Sequence, residues 1–356
     1  MTAKALFRPD FFLYENNKSA APAIKEQIHS CLGGYLTHIN SALVSAQNRQ
    51  RFYVTNEPVP QPEDRGIKLA DVIQTDRQTA YRLQSLSNPH TSDGSIRLGT
   101  IKNDAKNKAF DSQQYRVYSP EGKSVTLCGN GGGVGAKTGL YFVPLSEKEM
   151  SYMLRHTSDG RNHFDFAHHS DLSYDKSACV VSNFHKGVPY NVLADNRPHL
   201  YDDLPIYEVA GGKMFFQDAW HNVPLRNGHY IIRKLTPVEC ERLQTLPDGY
   251  TEGISNTQRY KCLGNGWTAE VIIHILSHLL KDIPRDEELV VLSMYDGIAT
   301  GRYCLEKMGF TNIIYHAFEI DKYAIQIAQK NYPDIIQHGD AFGIGKEKTL
   351  WDSLVD

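Results

Sequence analysis

The chain has 356 residues, 41% of them hydrophobic and 22% charged, with a formal net charge of −3 at pH 7. These values suit a globular protein of one large α/β domain plus a smaller one, and they exclude a disordered chain. No apolar run approaches a membrane span, Met1–Asp10 lacks a signal-peptide core, and the net charge of −3 argues weakly against nucleic acid as partner while allowing a local basic cleft.

In chain order, Phe11-Phe12-Leu13-Tyr14 reads as a buried strand with Glu15 at its carboxyl end. Ile24, Ile28 and Leu32 follow at helical spacing, and Gly33-Gly34 closes that helix. Between about 76 and 230 the periodicity fades into short β-like runs rich in Gly, Asn, Asp and His, the pattern of a small loop-rich domain. Thr236-Pro237-Val238-Glu239 is a capping box with proline in the first turn, so a helix starts there and stops near Pro247. Val271, Ile272, Ile275, Leu276 and Leu279 mark an amphipathic helix, and the polar stretch Lys281 to Glu288 is a connector. Leu289-Val290-Val291-Leu292 has the continuous apolar character of a strand buried on both faces. It runs into the glycine turn Tyr295–Gly301 and a helix to about Met308. A strand from Ile313 to Phe318, a helix from Lys322 to about Asn331, and Ile335-Ile336 before Gly339-Asp340 complete a βαβ pattern. The expected fold is therefore α/β, a Rossmann-like sheet with a small second domain. Its boundaries are 1–75, 76–230, 231–280, the connector 281–288, and 289–356.

A strand ending in a glycine-bearing turn brings backbone N–H groups and a helix N-terminus close to a ligand. Glu319, at the end of the next strand, is placed to accept hydrogen bonds from two ribose hydroxyls, and Asp340 to accept one from an adenine amino group. The turn alone is equally compatible with an ordinary βα connection; the two following acids favour a nucleoside. The six cysteines (Cys31, Cys128, Cys179, Cys240, Cys262, Cys304) include no CxxC pair, which suits reduced thiols and a cytoplasmic location. His163, His168, His169 and His185 lack cysteine or carboxylate partners at ligand spacing, so no metal site is expected.

Tyr295-Asp296-Gly297-Ile298-Ala299-Thr300-Gly301 resembles the first motif of DNA cytosine-5 methyltransferases, closest to the animal de novo enzymes and their phage and bacterial relatives, with tyrosine where phenylalanine is usual. Phe318-Glu319-Ile320-Asp321 resembles the second motif and Gly339-Asp340-Ala341 the third. Gln47-Asn48-Arg49-Gln50-Arg51 matches QxRxR, and Arg233 to Asp248 matches RxLTPxExxRLQxxPD. Gly264-Asn265-Gly266 resembles the final GNxV-type motif with Trp267 in the last place, and Glu15-Asn16-Asn17 resembles ENV with asparagine replacing valine. The resemblance implies S-adenosyl-L-methionine as cofactor, held by Tyr295, Asp296, Gly297, Ile298, Thr300, Gly301, Glu319, Ile320, Asp340, Ala341 and Asn265. It implies that Glu15 contacts N3 and the amino group of a flipped cytosine, while Arg49 and Arg51 stabilise the addition intermediate and touch the target phosphate, the alternative for Glu15 and Arg51 being an ordinary ion pair at a sheet edge. The region 76–230 would recognise double-stranded DNA. Glu121 to Leu127 resembles the element that packs this region, and Lys123, Asn130, Lys137 and Arg233 are its expected DNA contacts, the alternative for the 129–137 loop being an ordinary surface loop.

The family's nucleophile is the cysteine of a Pro-Cys motif, and no proline here is followed by cysteine. Against the family the motif order is circularly permuted, and the Pro-Cys strand falls in the gap between Asp340 and Glu15. That strand would be central, which raises the expectation of a split DNA (cytosine-5) methyltransferase whose cysteine comes from a small second subunit. A catalytically inactive DNA- or cofactor-binding protein is the alternative, and a transfer-RNA methyltransferase a more distant one.

Overall fold

A computed structural model describes residues 2–74, 80–101, 112–129, 138–150, 170–171, 193–194 and 206–343. They divide into two compact units, one of residues 1–72, 123–138 and 236–356, the other of 73–122 and 139–235. The recognition region read as continuous over 76–230 is thus interrupted, since 123–138 belongs to the first unit. There Asn48 N donates to Ser124 O and Ser124 N to Ala46 O, zipping Glu121–Leu127 beside the QxRxR segment from Ser124 on.

The first unit holds two three-stranded sheets. In one, β1 (Leu13–Asn17) and β2 (Tyr35–Asn40) flank β3 (Gln50–Thr55), both antiparallel to it. Helix α1 spans Thr2–Phe7, and helix α2, Pro22–Leu32, drops Ile28 and Leu32 onto Phe52 and Val54. Gly33 and Gly34 end α2 with φ of 65° and 90°, a left-handed exit that glycine adopts freely. β1 runs two residues past Glu15, because its pairing with β3 continues until Asn17 faces Arg51. Glu15 therefore lies mid-strand, opposite Tyr53, and not at a strand end.

The other sheet is parallel, in the order β14 (Leu289–Met294), β15 (Ile313–Phe318), β16 (Ile336–Gln337). Helices α6 (Thr300–Lys307) and α7 (Lys322–Asn331) make its crossovers. Between the sheets in sequence come α3 (Pro237–Leu243), α4 (Asn256–Asn265) and α5 (Ala269–Leu279), whose Val271, Ile272 and Ile275 are fully buried. Ala3 and Phe7 of α1 pack with Leu292 and Met294 against Phe318 and Ala341. Among the described residues β14 pairs only with β15, and β1 only with β3. The expectation of a strand buried on both faces fails for β14: Val290 is 48% exposed and its neighbours are only partly covered. An edge strand without a partner leaves its apolar side chains in reach of solvent.

The second unit is far more regular than its sequence implied. Strands β4 (Ser85–Ser92), β5 (Ser95–Thr100), β6 (Arg116–Tyr118), β7 (Leu140–Pro144), β10 (Ile206–Ala210), β11 (Lys213–Phe216), β12 (Ala219–Asn222) and β13 (Gly228–Arg233) form one sheet in the order β12-β11-β10-β13-β7-β6-β5-β4. A short parallel pair, β8 (Ser170–Asp171) and β9 (Leu193–Ala194), stands apart from it. Leu98, Val117, Tyr141, Phe142, Met214 and Ile231 are its buried core. No helix among the described residues is long and apolar enough to cross a membrane.

Candidate functional site

The turn after β14 alternates hand. Tyr295, Gly297 and Ala299 have φ of 59°, 66° and 61°. For the two non-glycine residues this left-handed backbone costs roughly 1–2 kcal/mol each, so neighbouring groups must hold it. Asp296 N donates to Phe318 O (3.0 Å), and Gly297 N donates to Glu319 Oε2 (2.9 Å). Asp296 Oδ1 accepts from Ser293 Oγ (2.6 Å) and Tyr315 Oη (2.8 Å), while burial pushes its carboxyl above the usual carboxylate range. Asp296 Oδ2 is buried and without a hydrogen-bond partner among the described residues. Tyr250 Oη closes the other side, donating to Ile298 O at 2.9 Å and approaching Ala299 O at 3.3 Å. Gly301 is required by packing: a Cβ there would stand 2.6 Å from the Tyr315 hydroxyl.

Glu319 is busier than its strand-end position suggested. Besides Gly297 N on Oε2, its Oε1 accepts from Ile320 N and Asp321 N, both at 2.8 Å. A carboxylate offers about four lone-pair sites, so one remains for a ligand hydroxyl. Asp340 is exposed, with Oδ1 accepting from Phe342 N (2.9 Å), and Ala341 is buried. Three large apolar side chains stand open here: Tyr295 at 67%, Ile320 at 74% and Phe342 at 82% exposure, with the Tyr295 and Phe342 rings 6.4 Å apart. Clustered exposed apolar groups beside convergent polar ones mark a ligand surface. Phe342 was not anticipated, although its place just after Asp340-Ala341 was the available signal. These features fit an adenosyl group: an exposed apolar surface beside the carboxylate acceptors Glu319 and Asp340.

Asn265, expected at the same site, is exposed at the end of α4 and packs on Gly129, where a Cβ would fall 2.0 Å from Asn265 Oδ1. Gly264 meets the Cys128–Gly129 backbone equally closely. This crossing is tied by Arg49, which is 3% exposed and donates to Leu127 O (3.2 Å), Gly264 O (3.1 Å) and Gly266 O (2.7 Å). Burial, aided by repulsion from Arg51, pushes the Arg49 guanidinium down to about 10, which still leaves it charged at neutral pH. Three of its N–H donors serve backbone carbonyls and the side chain is buried, so the expected contact of Arg49 with a target phosphate is corrected to a positioning role.

Arg51 and Glu15 form an ion pair between β3 and β1. Arg51 Nε lies 2.9 Å from Glu15 Oε1, both partly accessible, and Arg51 Nη1 donates to Gln50 O (2.9 Å). Tyr53, across from Glu15, has its phenol pushed up by burial and then by the Glu15 charge.

Two of the expected DNA contacts are corrected. Lys123 Nζ donates to Ala42 O, Ser45 O and Ile67 O at 2.7, 3.2 and 2.5 Å. Arg233 is fully buried, donating to Lys234 O and Gln74 O. Both cations satisfy loop carbonyls inside their own unit. Asn130 and Lys137 lie outside the described residues, as do His163, His168, His169, His185 and Cys179. Among the described residues no cluster of metal-ligating side chains occurs. Cys262 is buried and its thiol pushed up to about 11 by desolvation, and Cys304 is pushed up further by the same cause. Neither presents a thiolate at neutral pH.

The Thr236–Asp248 motif is architectural. Thr236 Oγ1 accepts from Glu239 N (3.1 Å) and Glu239 Oε2 from Thr236 N (2.7 Å), completing the capping box. Buried Glu241 accepts from Gly249 N, Thr251 N and Arg259 Nη2 at 2.7, 2.8 and 2.9 Å. Arg242 grips Asp248 through two parallel bonds of 2.8 and 2.6 Å. The motif thus orders the 245–268 stretch of the first unit.

The model of the family described as C-5 cytosine-specific DNA methylase matches residues 8–281. DNA (cytosine-5)-methyltransferase DRM2 of Oryza sativa subsp. japonica is 33% identical over 109 residues, 31% of this chain and 18% of that protein. Type II methyltransferase M.Sau3AI of Staphylococcus aureus is 41% identical over 59 residues, 16% of this chain and 14% of that protein. Orphan methyltransferase M.SPRI of Bacillus phage SPR is 45% identical over 56 residues, 14% of this chain and 13% of that protein. The chain spans less than a fifth of the length of these relatives. Among solved structures, the S. pombe Dnmt2 methyltransferase aligns with 77% of this chain and 67% of its own, at 14% identity and a TM-score of 0.36.

Proposed function

This chain belongs to the C-5 cytosine-specific DNA methylase family, and we propose that it holds the cofactor and the target base for transfer of a methyl group to C5 of cytosine in duplex DNA. The observation that carries the reading is the Glu15–Arg51 pair, partly accessible and held at 2.9 Å in the same unit as the strained turn and its open apolar surface. S-adenosyl-L-methionine supplies an electrophilic methyl group when bound. Tyr295, Ile320 and Phe342 would cover its adenine, the free lone pair of Glu319 would take a ribose hydroxyl, and Asp340 would take the adenine amino group. Asp296, Gly297, Ile298, Thr300 and Gly301 shape the turn, Ala341 packs on Phe318 at the end of the next strand, and Asn265, which packs on Gly129, is not proposed to touch the cofactor.

C5 of cytosine becomes nucleophilic only after a thiolate adds to C6, and a duplex base is reached only after it leaves the stack. Glu15 hydrogen-bonds the N3 and amino edge of the extruded base, and Arg51 fixes the orientation of that carboxyl and adds positive potential where negative charge develops. Asn130 and Lys137 are proposed to approach DNA from the 129–137 loop, with the region 76–230, apart from its 123–138 excursion, reading the sequence.

The thiolate itself is proposed to come from a Pro-Cys segment on another polypeptide, seated as a strand between β14 and β1. Support comes from β14 and β1 each having an edge unpaired among the described residues, and from Val290 of β14 standing half exposed. Buried, protonated Cys262 and Cys304 are poor substitutes. The test is transfer of labelled methyl from S-adenosyl-L-methionine to duplex DNA, by the chain alone and with a Pro-Cys polypeptide added. Activity only in the mixture is expected. Activity of the chain alone would refute the partner, and cofactor binding without activity in either arm would favour a non-catalytic DNA- or cofactor-binding protein.

A further inference from the structure

The glycine turn is held from its own sheet by Glu319, Tyr315 and Ser293, but its far side rests on a residue about fifty positions away in the chain. Tyr250 is buried, and its hydroxyl reaches the carbonyls on either side of the Ala299 Cα, donating to Ile298 O at 2.9 Å with Ala299 O at 3.3 Å. Those are the carbonyls whose direction changes if left-handed Ala299 (φ 61°) relaxes to a right-handed conformation. Tyr250 is itself clamped. Glu241 holds the amides of Gly249 and Thr251 on either side of it, Asn331 Nδ2 donates to its carbonyl (3.0 Å), and its ring meets Tyr303 edge-on at 5.8 Å. The same stretch reaches the next strand end, where Lys261 Nζ lies 2.7 Å from Asp321 Oδ2.

We propose that Tyr250 is a positioning residue for the cofactor: its hydroxyl presets the left-handed turn at Ala299, so that the binding surface exists before ligand arrives. Binding to a turn that is only fractionally in the competent form weakens the apparent affinity by that fraction, and the phenol removes that loss. The inference rests on the cofactor reading above and is separable from it.

The test uses the full chain with S-adenosylhomocysteine as a non-reacting probe, by titration calorimetry. Tyr250→Phe, which keeps the ring, is expected to raise Kd by about threefold to tenfold, the range for losing one buried hydrogen bond. Its melting midpoint should stay within about 4 °C of the wild type, as for a small local change in a chain of this size. In an Ala299→Gly background the same substitution should raise Kd by less than about twofold, because glycine adopts positive φ without steric cost. A purely structural role would not depend on residue 299. An unchanged Kd for Tyr250→Phe, or an equal rise in both backgrounds, overturns the proposal while leaving the cofactor reading intact. Failure of the wild-type chain to bind S-adenosylhomocysteine would overturn both.

Discussion

Arg49→Lys separates the two accounts of the QxRxR arginines. In the structure the Arg49 fork serves three buried carbonyls, at 3.2, 3.1 and 2.7 Å, and so ties Leu127 to both ends of the Gly264–Gly266 turn. A lysine keeps the charge but presents one compact head, which can retain about one of these bonds. Two carbonyls then lose a charged donor at about 1.5–3 kcal/mol each, and allowing for relaxation and water entry the net loss is roughly 3 kcal/mol. With a urea dependence of about 3 kcal/mol per molar, the unfolding midpoint falls by about 1 M. Arg51→Lys should move it far less, because a partly exposed ion pair contributes no more than about 1 kcal/mol. The assay is urea unfolding followed by circular dichroism, with DNA affinity measured on the same samples. An Arg49→Lys midpoint within about 0.2 M of wild type, together with weakened DNA binding, would refute the positioning role and restore a phosphate contact.

Gly301→Ala places a methyl 2.6 Å from the Tyr315 hydroxyl and must disturb its bond to Asp296. Overpacking of this kind costs about 1–3 kcal/mol, so S-adenosylhomocysteine should bind roughly tenfold more weakly by calorimetry, with Tyr315→Phe restoring part of the space. Unchanged affinity would mean the turn is softer than its hydrogen bonds imply. His316 shares a 2.9 Å hydrogen bond with His338 beneath the same site, and burial and then His338 hold it below its ordinary 6.5. The unfolded chain therefore binds the proton more readily between that lowered value and 6.5, so the contribution of His316 to stability is present above this window and lost as pH falls through it. Melting midpoints followed from about pH 7.5 to 5.5 should fall less steeply for His316→Phe than for the wild type, and equal slopes would refute the assignment.

Legibility in the sequence followed the range of the forces involved. The strand Ile313–Phe318, the helix Lys322–Asn331 and the capping box at Thr236 emerged as read, because apolar periodicity and capping are settled within a few residues. The eight-stranded sheet did not. Its edge strand Ser85–Ser92 contains Pro89 and little apolar alternation, so only cross-strand pairing makes it a strand. Phe342 was missed because exposure, and not residue type, marks it out.

The sequence by itself determined the family, the parallel βαβ half, and which residue types stand at the turn and at its two following acids. Tertiary structure alone decided how the cations are used. Arg49, Arg51, Lys123 and Arg233 carry the same sign and sit in motifs of equal clarity, yet only Arg51 is left facing Glu15. The other three are committed to backbone carbonyls. A motif specifies the donor, but the acceptor it finds belongs to another part of the chain. Burial makes leaving such carbonyls unsatisfied costly, so packing and not local sequence assigns each guanidinium or ammonium its work.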